Sequence, residues 1–295
     1  MIRKNGIILI DKNEGFTSSD TVRLVGRRLK AKKTGHTGTL DKFASGLLLC
    51  LVGSFTRLSS YLTEQDKVYD ATIEFGRETE TLDPEGEVCG EGPIPELSEI
   101  EAVLQGFRGE ISQKPPVYSA VHIDGTRAYK RALKGESPDM PSRRILIEYL
   151  EITGYKAPLL SLQIACSKGT YIRSLARDIA YELGTVAFVS SLRRMKVGSA
   201  VVEDSSRVED IGEETGVIND RSSMENLLGL EGISVPDAAV DDFLLGRSLD
   251  TPGFLPETAD KEHYVCFDSL GRFLGVIRNQ EHRWSYGMVN GALRD

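Results

Sequence analysis

Gly35-His36-Thr37-Gly38-Thr39-Leu40-Asp41-Lys42-Phe43-Ala44-Ser45-Gly46 holds three glycines in twelve residues, interleaved with a histidine, two threonines and an aspartate. Glycine supplies the φ values and close approaches that a tight turn needs, so the stretch reads as a sharply folded loop. It runs straight into residues 47–52, an apolar run closed by Gly53, the pattern of a buried strand. The loop therefore opens onto something buried. Taken as an isolated motif, Asp41 also fits a turn or cap residue, and His36 a satisfied surface histidine.

Working outward, residues 6–10 read as a short buried strand ending at Asp11-Lys12, and residues 17–20 (Thr-Ser-Ser-Asp) supply several N-caps for a following helix. Val22, Val25 and Leu29 share one stripe of that helix, with Arg23, Arg27, Arg28 and Lys30 outside it. Downstream, Tyr69, Ala71, Ile73 and Phe75 alternate with Asp70, Thr72 and Glu74, so residues 68–75 predict a strand with one apolar face. Strands are also predicted over 145–152 and 159–166, joined by Thr153-Gly154 and a turn near Pro158. The proline pair Pro115-Pro116 begins an excursion from the core that runs to Arg143-Arg144. Residues 170–183 predict a helix capped by Thr170 and ended by Gly184, with Ile172, Leu175, Ala176, Ile179 and Leu183 on its buried stripe. Residues 199–235 predict loops and short helices. Beyond about 238, residues 243–246, 264–267 and 273–277 predict the short strands of a small β-rich module.

The chain of 295 residues is 40% hydrophobic and 27% charged, the composition of an ordinary globular protein of about two domains. No run approaches 18 apolar residues, and the N-terminus lacks a signal-peptide core, so no membrane span or export is expected. The four cysteines and the four histidines (His36, His122, His263, His282) are scattered, without metal-ligand spacing. The net charge of -8 argues, as an average, against a nucleic-acid partner. By segment it does not: residues 1–70 carry +5 and 111–200 carry +7, while 71–110 carry -9 and 201–260 carry -12. Two basic segments brought onto one face would form an anion-attracting surface.

Residues 35–41 closely resemble the catalytic loop of the tRNA pseudouridine synthase B (TruB) family. The resemblance continues in order over about residues 5–196. It takes in Gly6-Ile7-Ile8-Leu9-Ile10-Asp11-Lys12 with Gly15-Phe16-Thr17-Ser18, then Asp66-Lys67-Val68-Tyr69, and the run from Gly76 to Gly86. Gln113 to Ala120, with Gly125 and Tyr129, is similar to the family's RNA-clasping insertion. Lys168-Gly169-Thr170-Tyr171-Ile172-Arg173 and Leu192-Arg193-Arg194 resemble its last two motifs. The resemblance implies an α+β pseudouridine synthase fold: a mixed, largely antiparallel central sheet flanked by helices, over residues 1–235 with the insertion at about 113–144. A weaker likeness implies a small β-rich, PUA-like RNA-binding domain over 238–295.

The implied reaction is isomerisation of the uridine at tRNA position 55, in the T-arm loop, to pseudouridine. Asp41 falls on the family's required aspartate, the nucleophile. Arg173 matches its arginine partner, which is expected to hold the carboxylate by two hydrogen bonds and keep its pKa low. Tyr69 matches the tyrosine that stacks on the base and serves a late proton transfer. The target must be flipped out of its loop; His36 matches the residue lying where the base has left, and Leu192 an apolar wall of the pocket. RNA backbone contacts are expected from Lys12, Arg23, Arg27, Lys32 and Lys33, and from Arg127, Lys130, Arg131, Arg143 and Arg144 of the insertion. Two departures stand out. Lys42 replaces the usual proline after the aspartate, and Ala132-Leu133-Lys134-Gly135 shifts a customary charge by one position.

Isomerisation has no net redox change and no external group donor, so no metal or organic cofactor is expected. The partner is the T-arm stem-loop of tRNA, with no membrane and no obligate protein partner, for a cytoplasmic monomer. The competing reading is a tRNA-binding or tRNA-folding protein acting without catalysis; a carboxylate in the middle of an anionic ligand's site weighs against it.

Overall fold

The run Leu47-Leu48-Leu49-Cys50-Leu51-Val52 is fully buried, as its uninterrupted apolar pattern requires. The computed structural model describes residues 4–119, 121–123, 125–132, 134–136, 138–249, 261–280 and 283–294. Ala120, Leu133 and His282, named above, lie outside them. The chain divides into two compact units: Met1–Leu40, Leu47–Thr63 and Gly198–Asp295 form one, Asp41–Gly46 and Glu64–Val197 the other. This division does not run at residues 235–238.

The first unit begins with β1 (Gly6–Lys12) and α1 (Ser18–Arg28), followed by β2 (Thr34–Thr37), β3 (Ser45–Val52, in this unit from Leu47) and α2 (Ser59–Thr63). Thr17 caps α1, its hydroxyl accepting from Asp20 N at 3.1 Å. Val22, Val25 and Leu29 pack against Ile8, Ile10, Leu48, Cys50 and Val52, so the expected stripe is the one buried. Each such side chain contributes about 1.5–3 kcal/mol. β2 runs antiparallel to β3, with His36 opposite Cys50.

The second unit holds β4 (Lys67–Phe75), β5 (Arg77–Thr79), β6 (Val88–Glu91), α3 (Leu97–Leu104), β7 (Gly109–Gln113), β8 (His122–Ile123), β9 (Thr126–Arg127), α4 (Ala128–Ala132), β10 (Arg143–Lys156), β11 (Leu159–Cys166), α5 (Ile172–Glu182) and β12 (Ala187–Val197). Its sheet has the order β12-β4-β11-β10-β7, antiparallel throughout. Ser45 and Gly46 add a parallel pairing to Arg193 and Arg194, giving the mixed, largely antiparallel sheet expected. Gly46 is required there: its φ is +102°, and a Cβ would lie 2.3 Å from the Arg194 carbonyl oxygen. In β4 the residues alternate between buried and half-buried from Lys67 to Phe75. Thr153-Gly154 does not join two strands; it lies within β10, where Gly154 pairs with Ser161 and a register shift after Ile152 leaves Thr153 as the extra residue of a bulge. Arg143 pairs directly with Gln113, so the excursion between them leaves and re-enters the sheet at one place.

The chain then completes the first unit with β13 (Ala200–Val201), β14 (Ser206–Arg207), α6 (Arg221–Leu228), β15 (Glu231–Ser234), α7 (Asp237–Leu244), β16 (His263–Phe267), β17 (Phe273–Gln280) and β18 (Arg283–Val289). β14 lies parallel to β1, and β15-β16-β17-β18 form a separate four-stranded sheet. Residues 243–246, expected as a strand, instead end α7. Ala239, Val240, Phe243 and Leu244 face Tyr264, Cys266, Leu274 and Ile277, a helical spacing that a four-residue apolar run conceals.

Candidate active site

Asp41 lies in the loop between β2 and β3, where Ala44 N donates to its carbonyl oxygen at 3.2 Å. Arg173 lies in the first turn of α5. Thr170 does not cap that helix, since its hydroxyl donates to Ser167 O. The N-cap is Tyr171, which makes no side-chain cap bond. Gln113, the last residue of β7, takes over: its Nε2 donates to Tyr171 O at 3.1 Å and its Oε1 accepts from Tyr171 N at 2.8 Å. Ser174 Oγ and Arg177 Nη2 donate to Lys114 O at 2.8 and 2.9 Å. The start of α5 is thus bound to the root of the insertion.

The Arg173 guanidinium gathers the site. Nη2 donates to Asp41 Oδ1 at 3.1 Å and to Tyr118 O at 3.0 Å. Nη1 donates to Asp83 Oδ2 at 2.9 Å and Thr81 O at 2.8 Å, and Nε lies 2.9 Å from Asp41 Oδ2. Asp83 comes from the turn after β5, where Leu82 holds a left-handed φ of 61°. Such a conformation costs an L side chain about 1–2 kcal/mol; it is retained by bonds from Leu82 N to Thr79 O and from Val189 N to Leu82 O. Asp83 Oδ1 also accepts from Thr81 Oγ1 and Glu85 N. Exposure separates the two carboxylates. The Arg173 and Asp83 side chains are 5% exposed, that of Asp41 37%. Asp83 is the buried counter-ion; Asp41 is the one a substrate can reach.

The expectation that Arg173 keeps the Asp41 pKa low needs correcting. Neighbouring groups strip hydration from the carboxyl despite its open edge, and this pushes Asp41 above its ordinary value. Arg173 pulls it back, while Asp83 and Glu85 push it further up. The acidic segment 71–110 therefore reaches into the site through Asp83 and Glu85.

Tyr69 is buried on β4, directly opposite Arg194 of β12. Arg194, 1% exposed, hydrogen-bonds the Tyr69 hydroxyl and favours its ionised form, but burial outweighs it and raises the Tyr69 pKa. The ring is therefore a neutral phenol, suited to stacking and to passing a proton. Leu192, also buried, pairs with Ala71 two positions along. Lys67 precedes Tyr69 on the same strand face; burial, with Arg194 second, lowers its pKa to about 8.

Asp41, Tyr69, Arg173 and Leu192 all belong to the second unit, with Arg127, Lys130, Arg131, Arg143 and Arg144. Arg127 and Lys130 are exposed; Arg131 pairs with Glu136 at 2.6 Å. Arg143 stands 5.6 Å from the Tyr171 ring centroid, and Arg144 lies 3.9 Å from Glu110. His36, Lys12, Arg23, Arg27, Lys32 and Lys33 belong to the first unit. His36 is half-buried on β2; Arg27, Lys32 and Lys33 are exposed, as is Arg23, which pairs with Asp20 at 2.9 Å. Lys12 is not on the surface. It is fully buried, and its ammonium donates to Asn13 O at 3.0 Å and Phe16 O at 2.7 Å, closing the turn before α1. Sequence reasoning missed Asp83, Arg194, Gln113 and Lys67 as site residues. All four lie inside stretches that carry the family resemblance, and Lys67 had a further signal in its two-residue spacing from Tyr69.

Residues 26–172 match the TruB family pseudouridylate synthase (N terminal domain). The chain is 44% identical to the tRNA pseudouridine synthase B of Borreliella burgdorferi over 79% of this chain and 82% of that one. Against the Clostridium kluyveri protein of the same name it is 36% identical, over 95% and 97%. The chain belongs to the TruB family. Its fold also aligns with a chain of a Cbf5-Nop10-Gar1 complex, at TM-score 0.69 and 24% identity over 97% of this chain and 83% of that one, a likeness of fold. Among the described residues no cluster of His, Cys, Asp and Glu suited to a metal occurs, and no helix is long and apolar enough to cross a membrane.

Proposed function

We propose that this TruB protein isomerises the uridine at position 55 of the tRNA T-arm loop to pseudouridine, with Asp41 as nucleophile. The observation that carries the reading is the geometry of Asp41: both oxygens face one buried guanidinium, and its open edge faces outward. Arg173 fixes the direction of a carboxylate that is otherwise a weak nucleophile. The flipped base rests on Tyr69 and Leu192. Asp41 attacks the ring or the sugar C1′, and the C1′–N1 bond breaks. The base turns, a C1′–C5 bond forms, Asp41 leaves, and the C5 proton departs while N1 gains one. Atoms and electrons balance without a cofactor.

The surface arginines and lysines of the insertion and of α1 grip phosphates, and residues 238–295, whose strands β16–β18 form a sheet with β15 (Glu231–Ser234), act as a PUA-like accessory RNA-binding domain. A cytoplasmic monomer without an obligate protein partner belongs to the same proposal. The test is tritium release from C5-labelled uridine in an unmodified T-arm stem-loop. Wild type is expected to release tritium and Asp41→Asn none. An inactive wild type that still binds the stem-loop supports the tRNA-binding alternative; an active Asp41→Asn removes Asp41 as nucleophile.

A further inference from the structure

Lys42 follows Asp41 directly, and its ammonium lies 3.0 Å from Glu85 Oε1. Glu85 is held by the turn that positions Asp83, its N–H donating to Asp83 Oδ1 at 3.0 Å. Arg173 of α5 and Asp83 and Glu85 of the turn after β5 act on the Asp41 carboxyl, Asp41 acts in turn on Tyr69 of β4, and Lys42 of the same loop as Asp41 pairs with Glu85. Arg173 holds Asp41 and Asp83, and Glu85 stands against Lys42, so three carboxylates meet one guanidinium and one ammonium, a surplus of one negative charge that would be two without Lys42. Such a surplus opposes both the ionised nucleophile and the approach of an RNA backbone.

We propose that Lys42 is a positioning residue for the isomerisation, offsetting the Glu85 carboxylate so that Asp41 stays ionised beside an incoming polyanion. This rests on Asp41 being the nucleophile. Lys42 and Glu85 are 52% and 40% exposed, so solvent screens the pair and its effect is a fraction of a pH unit.

The experiment is the pH profile of kcat/KM for the full chain on the T-arm stem-loop, with Lys42→Ala, Glu85→Gln and the double variant. Lys42→Ala is expected to raise the acid-limb midpoint by about 0.2–0.7 pH unit, the range of an exposed ion pair. Glu85→Gln lowers it. In the Glu85→Gln background the Lys42→Ala shift falls to less than half, because Lys42 acts through Glu85; added salt shrinks it as well. An unmoved midpoint in Lys42→Ala overturns the proposal. So does a higher KM with a flatter salt dependence and no change in the limb, the signature of a plain phosphate contact. Activity in Asp41→Asn, measured alongside, overturns instead the reading of Asp41 as nucleophile.

Discussion

Arg173 binds two carboxylates, and removing either side of the arrangement has opposite consequences. Burial raises the Asp41 carboxyl above its ordinary 3.8, so the fold favours the protonated form more than the unfolded chain does. That stabilisation is present below the unfolded value and is lost as pH rises through the folded one, leaving ionised Asp41 a net cost at neutral pH. Asp41→Asn is therefore expected to melt no lower than wild type at pH 7 in a thermal unfolding scan; a clearly lower Tm means that attraction to Arg173 outweighs desolvation. By the same sign, kcat/KM declines as pH falls through a midpoint above 3.8, seen in a pH profile. Arg173→Met is the contrasting case. It strands buried Asp83 without its cation, and loss of about 3–5 kcal/mol is expected in urea unfolding. Asp41 was legible in its Gly-rich loop. Asp83 was not, because nothing in a Thr-rich turn before Pro84 distinguishes a counter-ion from a turn residue.

At the scale of elements, α5 starts without a side-chain cap of its own, and β7 supplies the missing bonds across 58 residues of chain. Gln113→Ala leaves the N–H and carbonyl of Tyr171 without this partner, at an expected cost of about 1–3 kcal/mol. Because Tyr171 precedes Arg173 by two residues, single-turnover rates should fall as well; an unchanged rate and stability would show that α5 is positioned by its stripe alone. That stripe was readable from periodicity, as was the alternation of β4. Two elements were not. Residues 243–246 present a run too short to separate strand from helix, and Thr153-Gly154 looks like a turn until its pairing with β11 shows a bulge.

For the whole molecule, the net charge of -8 decides little, because Asp83 and Glu85 bring part of the acidic surplus into the site while Arg127, Lys130 and Arg144 stay on the surface. Binding of the T-arm stem-loop should weaken steeply with salt, and the Arg127→Ala, Lys130→Ala double variant should flatten the slope of log K against log salt by about 1–2, as measured by filter binding. A salt-insensitive complex would assign binding to contacts other than phosphates. The sequence by itself determined the elements whose side-chain period is local: the stripe of α1, the faces of β4 and α5, and the glycine loop that presents Asp41. With the family resemblance it also bounded the insertion at about 113–144, while the pairing of β7 with β10 at its root came from the structure alone. Only the tertiary structure decided which groups meet there. Arg173 reaches Asp41 across 132 residues and Asp83 across 90, and Arg194 meets Tyr69 through the register of two strands. Periodicity says which face a residue occupies; what stands opposite it depends on register and turn geometry, which the packing of the assembled chain selects.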